Sequence, residues 1–226
     1  MARPIHADAN ATRHRILEAS SEFFSRRGRG STTMRQIARQ ARVSLAMLHH
    51  YFGSKADLYQ ACLDAMAEEL QELRLGLEPA FASALGIHQA IDVAVRQAYA
   101  FARRHRSAVQ LMMRTVVDTG ELDPTHREQV LLPFLDQGAA LLAPRLGMSE
   151  DATRLALLSI NYLVIRFALN STEEAASITR RVGASPEQVD AAVADYLVAA
   201  ALALLGAGQG SVPSGVEHAP PAPTGP

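Results

Sequence analysis

Hydrophobic positions along the chain recur every three or four residues, which is the period of an amphipathic α-helix. The first such run places Ile16, Leu17, Phe23 and Phe24 on one face, and Gly28 follows it as a residue suited to end a helix. No stretch shows the alternation of polar and apolar residues that is typical of a β-strand. The sequence therefore predicts an all-α fold of about nine helices.

Two short helices joined by a four-residue turn follow the first one. Thr33 and Gln36 have the spacing of a capping box, in which each side chain bonds the other residue's backbone amide. The second helix leads into a turn at residues 41–44, where Ser44 is a suitable N-cap for the third helix. This arrangement is typical of a helix-turn-helix, whose second helix enters the major groove of DNA.

The remaining helices are longer. Ser54 and Asp57 predict the start of the fourth helix, which we expect to end near Arg74, because Gly76 and Pro79 follow. Further helices are predicted over residues 86–105 and 107–117, from residue 124 onward with a kink or division at Pro133, and over residues 149–170 and 185–206.

Charge is distributed unevenly, although the chain as a whole carries a net charge of only -1. The segment through Asp57 contains ten basic and four acidic residues, a net charge of +6, whereas the other 169 residues have a net charge of -7. A basic segment binds polyanions by releasing their condensed counterions. The alternative is a charged face that is only solvated.

Several classes of protein are excluded by composition. A chain of 226 residues that is 48% apolar can form a packed core, and its single cysteine, Cys62, cannot form an intrachain disulfide. The longest uncharged apolar run, residues 196–205, is half of the roughly 20 residues that cross a bilayer. No metal-binding, phosphate-binding or nucleophile motif is visible, so we expect a cytoplasmic protein that is not an enzyme and has no cofactor.

The N-terminal motifs together resemble the TetR family of bacterial transcriptional regulators. The resemblance covers about residues 12–62 and rests on Arg13-x-x-Ile16-Leu17, Phe24, Gly28, Thr32-Thr33-Met34-x-x-Ile37-Ala38, Ala41-Arg-Val-Ser44, Leu48-His-His-Tyr-Phe52 and Ser54-Lys55-x-x-Leu58. It implies a DNA-binding domain at residues 1–56 and a ligand-binding and dimerisation domain at residues 57–206. Homodimers would form through the last two long helices. Residues 207–226, of which nine are Pro or Gly, are predicted to be a disordered tail.

The resemblance also implies which residues contact DNA. Base edges would be read by Ser44, Leu45 and Met47, and phosphates would be bound by Thr33, His49 and Lys55. His50 and Tyr51 would contact bases or backbone beside them. Two positions depart from the family: Arg42 stands where a turn glycine is usual, and His49 stands where a phosphate-binding tyrosine is usual. Either the turn differs slightly from that of the family, or Arg42 supplies an extra cation at a phosphate that offsets the strain of a positive φ.

Polar and aromatic side chains among apolar neighbours in the middle helices are candidates for a ligand cavity. They are Tyr99, His105, Met112, Met113, Phe134, Asn161, Tyr162 and Arg166. The same residues are also typical of ordinary core or surface positions. An arginine inside such a cavity, at 114 or 166, would favour an anionic ligand.

The function expected from these features is that of a ligand-responsive repressor. It would bind a palindromic operator as a homodimer, and a small molecule would release it. A helical protein-interaction module with a basic docking face is the alternative, and a small helical enzyme with an unrecognised site is a third hypothesis.

Overall fold

The computed structural model describes residues 5–82 and 86–207, and helices account for most of both ranges. Because no β-strand occurs within these ranges, the predicted all-α fold is confirmed. The elements in chain order are α1 (Ile5–Ser31), α2 (Met34–Gln40), α3 (Leu45–Phe52), α4 (Lys55–Ala82), α5 (Ile87–Arg104), α6 (Arg106–Thr119), α7 (Pro124–His126), a π-helical turn (Arg127–Leu131), α8 (Leu132–Leu146), α9 (Glu150–Ala168), α10 (Thr172–Ile178) and α11 (Pro186–Leu204).

The predicted helix starts are confirmed at the level of hydrogen bonds. The capping box of Thr33 and Gln36 opens α2, and the one of Ser185 and Gln188 opens α11. Pro133 is the second residue of α8 and directly follows the π-helical turn. The residues on both sides of that turn keep helical φ and ψ, so the predicted seventh helix is interrupted by a π-helical turn and not by a break in the helix.

The predicted end of α4 near Arg74 is wrong, because the helix continues through Gly76 and Pro79 to Ala82. A proline removes one backbone hydrogen bond but does not force a helix to end, and Pro79 lies in the last turn of α4. The short helix α10 is not predicted by the sequence pattern either. The predicted tail at residues 207–226 lies outside the described residues except for Ala207.

A compact hydrophobic cluster holds the first three helices together. It is built from Ile16 and Phe24 of α1, Ile37 of α2 and Leu48 of α3, all completely buried. The start of α4 closes it through Leu58, Cys62 and Leu63, and α6 adds Leu111. Burial raises the pKa of the Cys62 thiol to about 11, so the thiol stays protonated at neutral pH.

A second and larger cluster lies between the long helices of the body. Its buried members come from α4, α5, α6, α9, α10 and α11, and a smaller group of leucines joins α8 to α9. Helix α4 contributes Leu58 to the first cluster and Met66 to the second. A shift of α4 relative to the other long helices therefore changes the packing of both clusters.

Two arginines, one in the last turn of α5 and one at the start of α6, hold the end of α9. The guanidinium of Arg103 donates to the carbonyl oxygen of Asn170 at 2.8 Å and pairs with Asp190 of α11 at 3.1 Å. Arg106 donates to the carbonyl oxygen of Leu169 at 2.6 Å. These cations satisfy carbonyls that a helix C-terminus leaves unpaired.

Within residues 5–82 and 86–207, no single helix has the length and apolarity needed to cross a membrane. Among the described helices, only α9 and α10 taken together are long and apolar enough to span a membrane, and that pair is bent by 113°.

Candidate DNA-binding site

The turn between α2 and α3 fixes how far α3 projects from the cluster beneath it. Leu48 and Phe52 anchor one face of α3 in that cluster. Ser44 accepts a hydrogen bond from the amide of Met47 at 3.0 Å, which starts α3 directly after the turn. The opposite face of α3 is therefore left on the surface, as a helix that enters a groove requires.

The exposed face of α3 carries the residues that were predicted to read bases. Ser44, Leu45 and Met47 are exposed at its start, with Leu45 and Met47 showing 36% and 42% of their surface. Exposed apolar side chains at a helix start suit contact with thymine methyl groups. His49 and His50 continue this face, and the ring of Tyr51 is half-buried, with its centroid 5.9 Å from that of His50.

The N-terminal helices and the turn carry many exposed cations. Eight arginines of the N-terminal helices and the turn have exposed side chains, and among them only Arg26 has a recorded ion pair, with Glu22 at 3.3 Å. The eight are Arg13, Arg15, Arg26, Arg27, Arg29, Arg35, Arg39 and Arg42. Such a surface attracts the phosphates of a nucleic acid over a distance set by ionic strength.

Thr33 and Lys55 are already engaged within the protein. The amide of Thr33 donates to Oε1 of Gln36 at 3.0 Å, and its hydroxyl accepts from the amide of Gln36. The ammonium of Lys55 donates to the carbonyl oxygens of Thr32 at 2.9 Å and Gly30 at 3.4 Å. Since an ammonium has three N–H groups, Lys55 retains one for a phosphate.

Arg42 adopts the backbone conformation that favours glycine, with a φ of 55°. Its amide still donates to the carbonyl oxygen of Arg39 at 3.3 Å, so the turn is formed in spite of the strain. A non-glycine residue in this region costs about 1–2 kcal/mol. The arginine is therefore retained at a position where glycine would be more stable.

Replacing Arg42 with glycine is expected to raise the free energy of unfolding and lower DNA affinity at the same time. Relief of the backbone strain stabilises the folded protein, whereas the greater conformational freedom of glycine stabilises the unfolded chain. The first effect is larger than the second by up to about 1 kcal/mol. Each subunit should lose one phosphate contact. Each lost contact reduces the slope of log affinity against log salt concentration by about 0.9. Urea unfolding and DNA titration at two salt concentrations measure the two effects. Weaker folding or an unaltered salt slope would contradict this prediction.

The residues predicted to line a ligand cavity do not lie in one environment. Met112 is buried in the body cluster and Met113 packs against it, whereas Phe134 packs on the leucines that join α8 to α9. Tyr162 and Arg166 lie on the exposed face of α9, and Asn161 is half-buried. The exposed side chain of Arg166 bonds Asn170 and lies 3.9 Å from Glu174.

Two of the predicted ligand residues make specific polar contacts inside the body. Tyr99 is buried, and its hydroxyl donates to Oδ1 of Asp190 at 3.1 Å. Burial and the carboxylate of Asp190 raise the pKa of Tyr99 above its usual value. His105 lies 2.7 Å from Glu69 of α4 and stacks on Phe101 at 4.4 Å between ring centroids. His105 therefore ties α4 to the junction of α5 and α6.

The contact between α6 and the N-terminal helices is not indicated by the sequence. Arg114, one of the two arginines considered for a cavity, instead lies against the end of α1, where its guanidinium donates to the carbonyl oxygen of Ser25 at 3.4 Å. The hydroxyls of Thr115 and Tyr59 are 2.8 Å apart. Since α1 and α6 are remote in sequence, no local pattern marks this contact.

An open cleft of about 380 Å³ lies at the start of α11. Arg181, Gln188 and Asp195 supply its polar lining, and three alanines supply the rest. None of the predicted ligand residues lines this cleft.

Comparison with known proteins gives a family for the N-terminal segment. Residues 16–62 match the model of the bacterial regulatory proteins of the tetR family. The HTH-type transcriptional regulator HbdR of Aromatoleum sp. (strain CIB) is 31% identical over 116 residues, covering 48% of this chain and 51% of that protein. The HTH-type transcriptional regulatory protein RaaS of Mycobacterium tuberculosis is 48% identical over 64 residues, covering 28% of this chain and 30% of that protein.

The chain thus spans about half the length of the first of these relatives and less than a third of the second. The likeness in fold extends further. A TetR-like transcriptional regulator from Rhodococcus sp. RHA1 superimposes with a TM-score of 0.59 at 23% identity, covering 88% of this chain and 97% of that chain. The helix-turn-helix at residues 33–52 lies within the segment that matches the tetR family model, and the described chain shares its helical fold with a TetR-like regulator.

Proposed function

We propose that the protein is a transcriptional repressor that binds a palindromic DNA operator as a homodimer and is released by a small molecule. The observation that carries the proposal is the exposed face of α3, which presents Ser44, Leu45 and Met47 from an N-terminal segment that has eight exposed arginines. Residues 1–56 act as the DNA-binding domain and residues 57–206 as the ligand-binding and dimerisation domain. The protein works in the cytoplasm, where its operator lies.

The homodimer forms through α9 and α11. Leu155 and Tyr162 of α9 and Tyr196 of α11 are exposed, although large apolar side chains are usually covered in a folded protein. Packing these two helices against the same two helices of a second copy gives a twofold four-helix interface that buries them. A twofold dimer presents two α3 helices to one face of DNA, which matches a palindromic site.

Release by a ligand acts through α4. This helix packs in both hydrophobic clusters, and the pair of His105 and Glu69 holds it to the α5–α6 junction. A ligand that binds between the middle helices shifts α4 and thereby changes the separation of the two α3 helices. The ligand releases DNA only to the extent that it binds the separated form more tightly than the DNA-bound form.

Selection of duplexes from a random library by the wild-type protein tests the proposal. We expect a selected site with two inverted half-sites whose centres lie about one helical turn of DNA, or a multiple of it, apart. Binding should weaken steeply with salt. Recovery of no preferred sequence, together with binding to an acidic protein, would instead favour the protein-interaction module.

Met47→Ala is expected to change base preference rather than general affinity. Loss of the apolar contact should reduce discrimination at one base pair of each half-site by about tenfold. Lys55→Ala is the matched contrast: it should weaken binding to every duplex alike and lower the salt slope by about one per subunit. Competition titrations with the selected duplex and its single-base variants separate the two. Identical preference profiles for Met47→Ala and the wild type would remove Met47 from the reading face.

A further inference from the structure

The exposed ring of His49 has one nitrogen in a hydrogen bond and a second nitrogen for which the described part of the chain shows no partner. Its Nδ1 lies 2.7 Å from the carbonyl oxygen of Gly53, directly after the end of α3. A carbonyl oxygen only accepts hydrogen bonds, so Nδ1 carries the proton in this contact. In the neutral ring, Nε2 is then left with a lone pair and no hydrogen.

A phosphate oxygen cannot bond to this neutral form, because both partners are acceptors. Protonation of His49 places an N–H and a positive charge at Nε2 without breaking the bond from Nδ1 to Gly53. Charge-assisted bonds to phosphate are roughly twice as strong as neutral ones. The alternative neutral tautomer, with its proton on Nε2, must give up the contact with Gly53.

We propose that His49 is a proton-dependent phosphate contact, so that the protein takes up a proton at each His49 when it binds DNA. Affinity for DNA then rises as the pH falls. This inference rests on the proposed function, since it assigns regulation to the same DNA-binding face. In this proposal, DNA affinity depends on pH as well as on the small-molecule ligand.

The surroundings of His49 favour this role. The ring lies at the C-terminal end of α3, where the helix dipole stabilises a cation. The nearby charged and titratable groups already have partners of their own. The ring of His50 contacts Tyr51, and the guanidinium of Arg13 lies over the ring of Phe52. Lys55 donates to the carbonyls of Gly30 and Thr32, and Asp57 accepts from Ser54. Within the described part of the chain, Nε2 of His49 has no recorded partner.

Fluorescence anisotropy with the duplex selected by the wild type, at pH 6, 7 and 8 and constant ionic strength, tests the inference. Wild-type affinity should rise by about tenfold or more between pH 8 and pH 6. His49→Tyr keeps a donor that does not titrate in this range, so its affinity should lose most of that pH dependence. His49→Phe should lose the pH dependence and bind weakly throughout. His88→Gln, on α5 and outside the DNA-binding face, is the matched control and should keep the wild-type slope.

Calorimetric binding of the wild type in two buffers of different protonation heat gives a second readout that needs no variant. We expect net proton uptake on binding at pH 7. Equal pH slopes for the wild type and His49→Tyr, or absence of proton uptake, would overturn the role of His49 while leaving DNA binding intact. Absence of binding to any selected duplex at every pH would overturn the proposed function, and this inference with it.

Discussion

Replacing both Leu155 and Tyr196 with glutamate is expected to convert the proposed homodimer into a monomer and to abolish tight operator binding. The two side chains expose 66% and 54% of their surface in the single chain, and each appears twice across a twofold interface. Burying four carboxylates without cations to pair them costs several kcal/mol. Because the second half-site is then no longer bound intramolecularly, affinity for the palindrome should fall by about 10²–10⁴.

Val117→Glu is the control for this effect. Val117 lies on α6, outside the proposed interface, and is 81% exposed, so a carboxylate added there should leave mass and affinity as they are. Light scattering gives the mass, and titration with the selected duplex gives the affinity. A double variant of Leu155 and Tyr196 that keeps the mass of two chains would place the interface elsewhere.

The local parts of the fold are predictable from sequence because short-range hydrogen bonds set them. Thr33 and Gln36, or Ser185 and Gln188, need only their spacing to form a capping box, and both boxes are present. The strain at Arg42 is predictable in the same way, since a turn position that usually holds glycine indicates a positive φ. These features need no knowledge of the rest of the chain.

Features that depend on pairing between remote elements were not predictable. The ammonium of Lys55 bonds the carbonyl of Thr32, and Leu111 of α6 completes the N-terminal cluster. Helical periodicity predicts that one face of a helix is buried, but it does not indicate which other helix covers that face. For the same reason, the candidate ligand residues divide between buried positions such as Met112 and exposed ones such as Tyr162.

His49 combines a feature that the sequence predicts with one that only the structure provides. Its sequence position and its departure from the usual tyrosine mark it as a candidate phosphate contact. Only the structure provides the bond from Nδ1 to Gly53, and that bond determines which nitrogen is available for DNA. The chemistry of the contact therefore follows from a tautomer and not from the residue type alone.

Replacing Gly28 with alanine is expected to destabilise the protein by about 3 kcal/mol, because the kink in α1 has a backbone conformation that is essentially restricted to glycine. Gly28 has a φ of 76° and a ψ of 164°. A Cβ at this position would also lie 3.1 Å from Nη2 and 3.2 Å from Nε of Arg114. To make room, the guanidinium must shift by a few tenths of an ångström, which disturbs its contact with the carbonyl of Ser25.

Gly30, two residues further on, is the matched control for Gly28→Ala. A Cβ there meets no atom within 4 Å, and its backbone has no positive φ, so Gly30→Ala should leave stability unchanged or raise it by up to about 1 kcal/mol. Combining Gly28→Ala with Arg114→Ala removes the steric conflict, so the stability lost beyond that of Arg114→Ala alone measures the backbone strain. Urea unfolding of the four variants measures these differences. If Gly28→Ala and Gly30→Ala unfold at the same urea concentration, α1 tolerates a side chain at its kink and the contact with Arg114 does not fix its path.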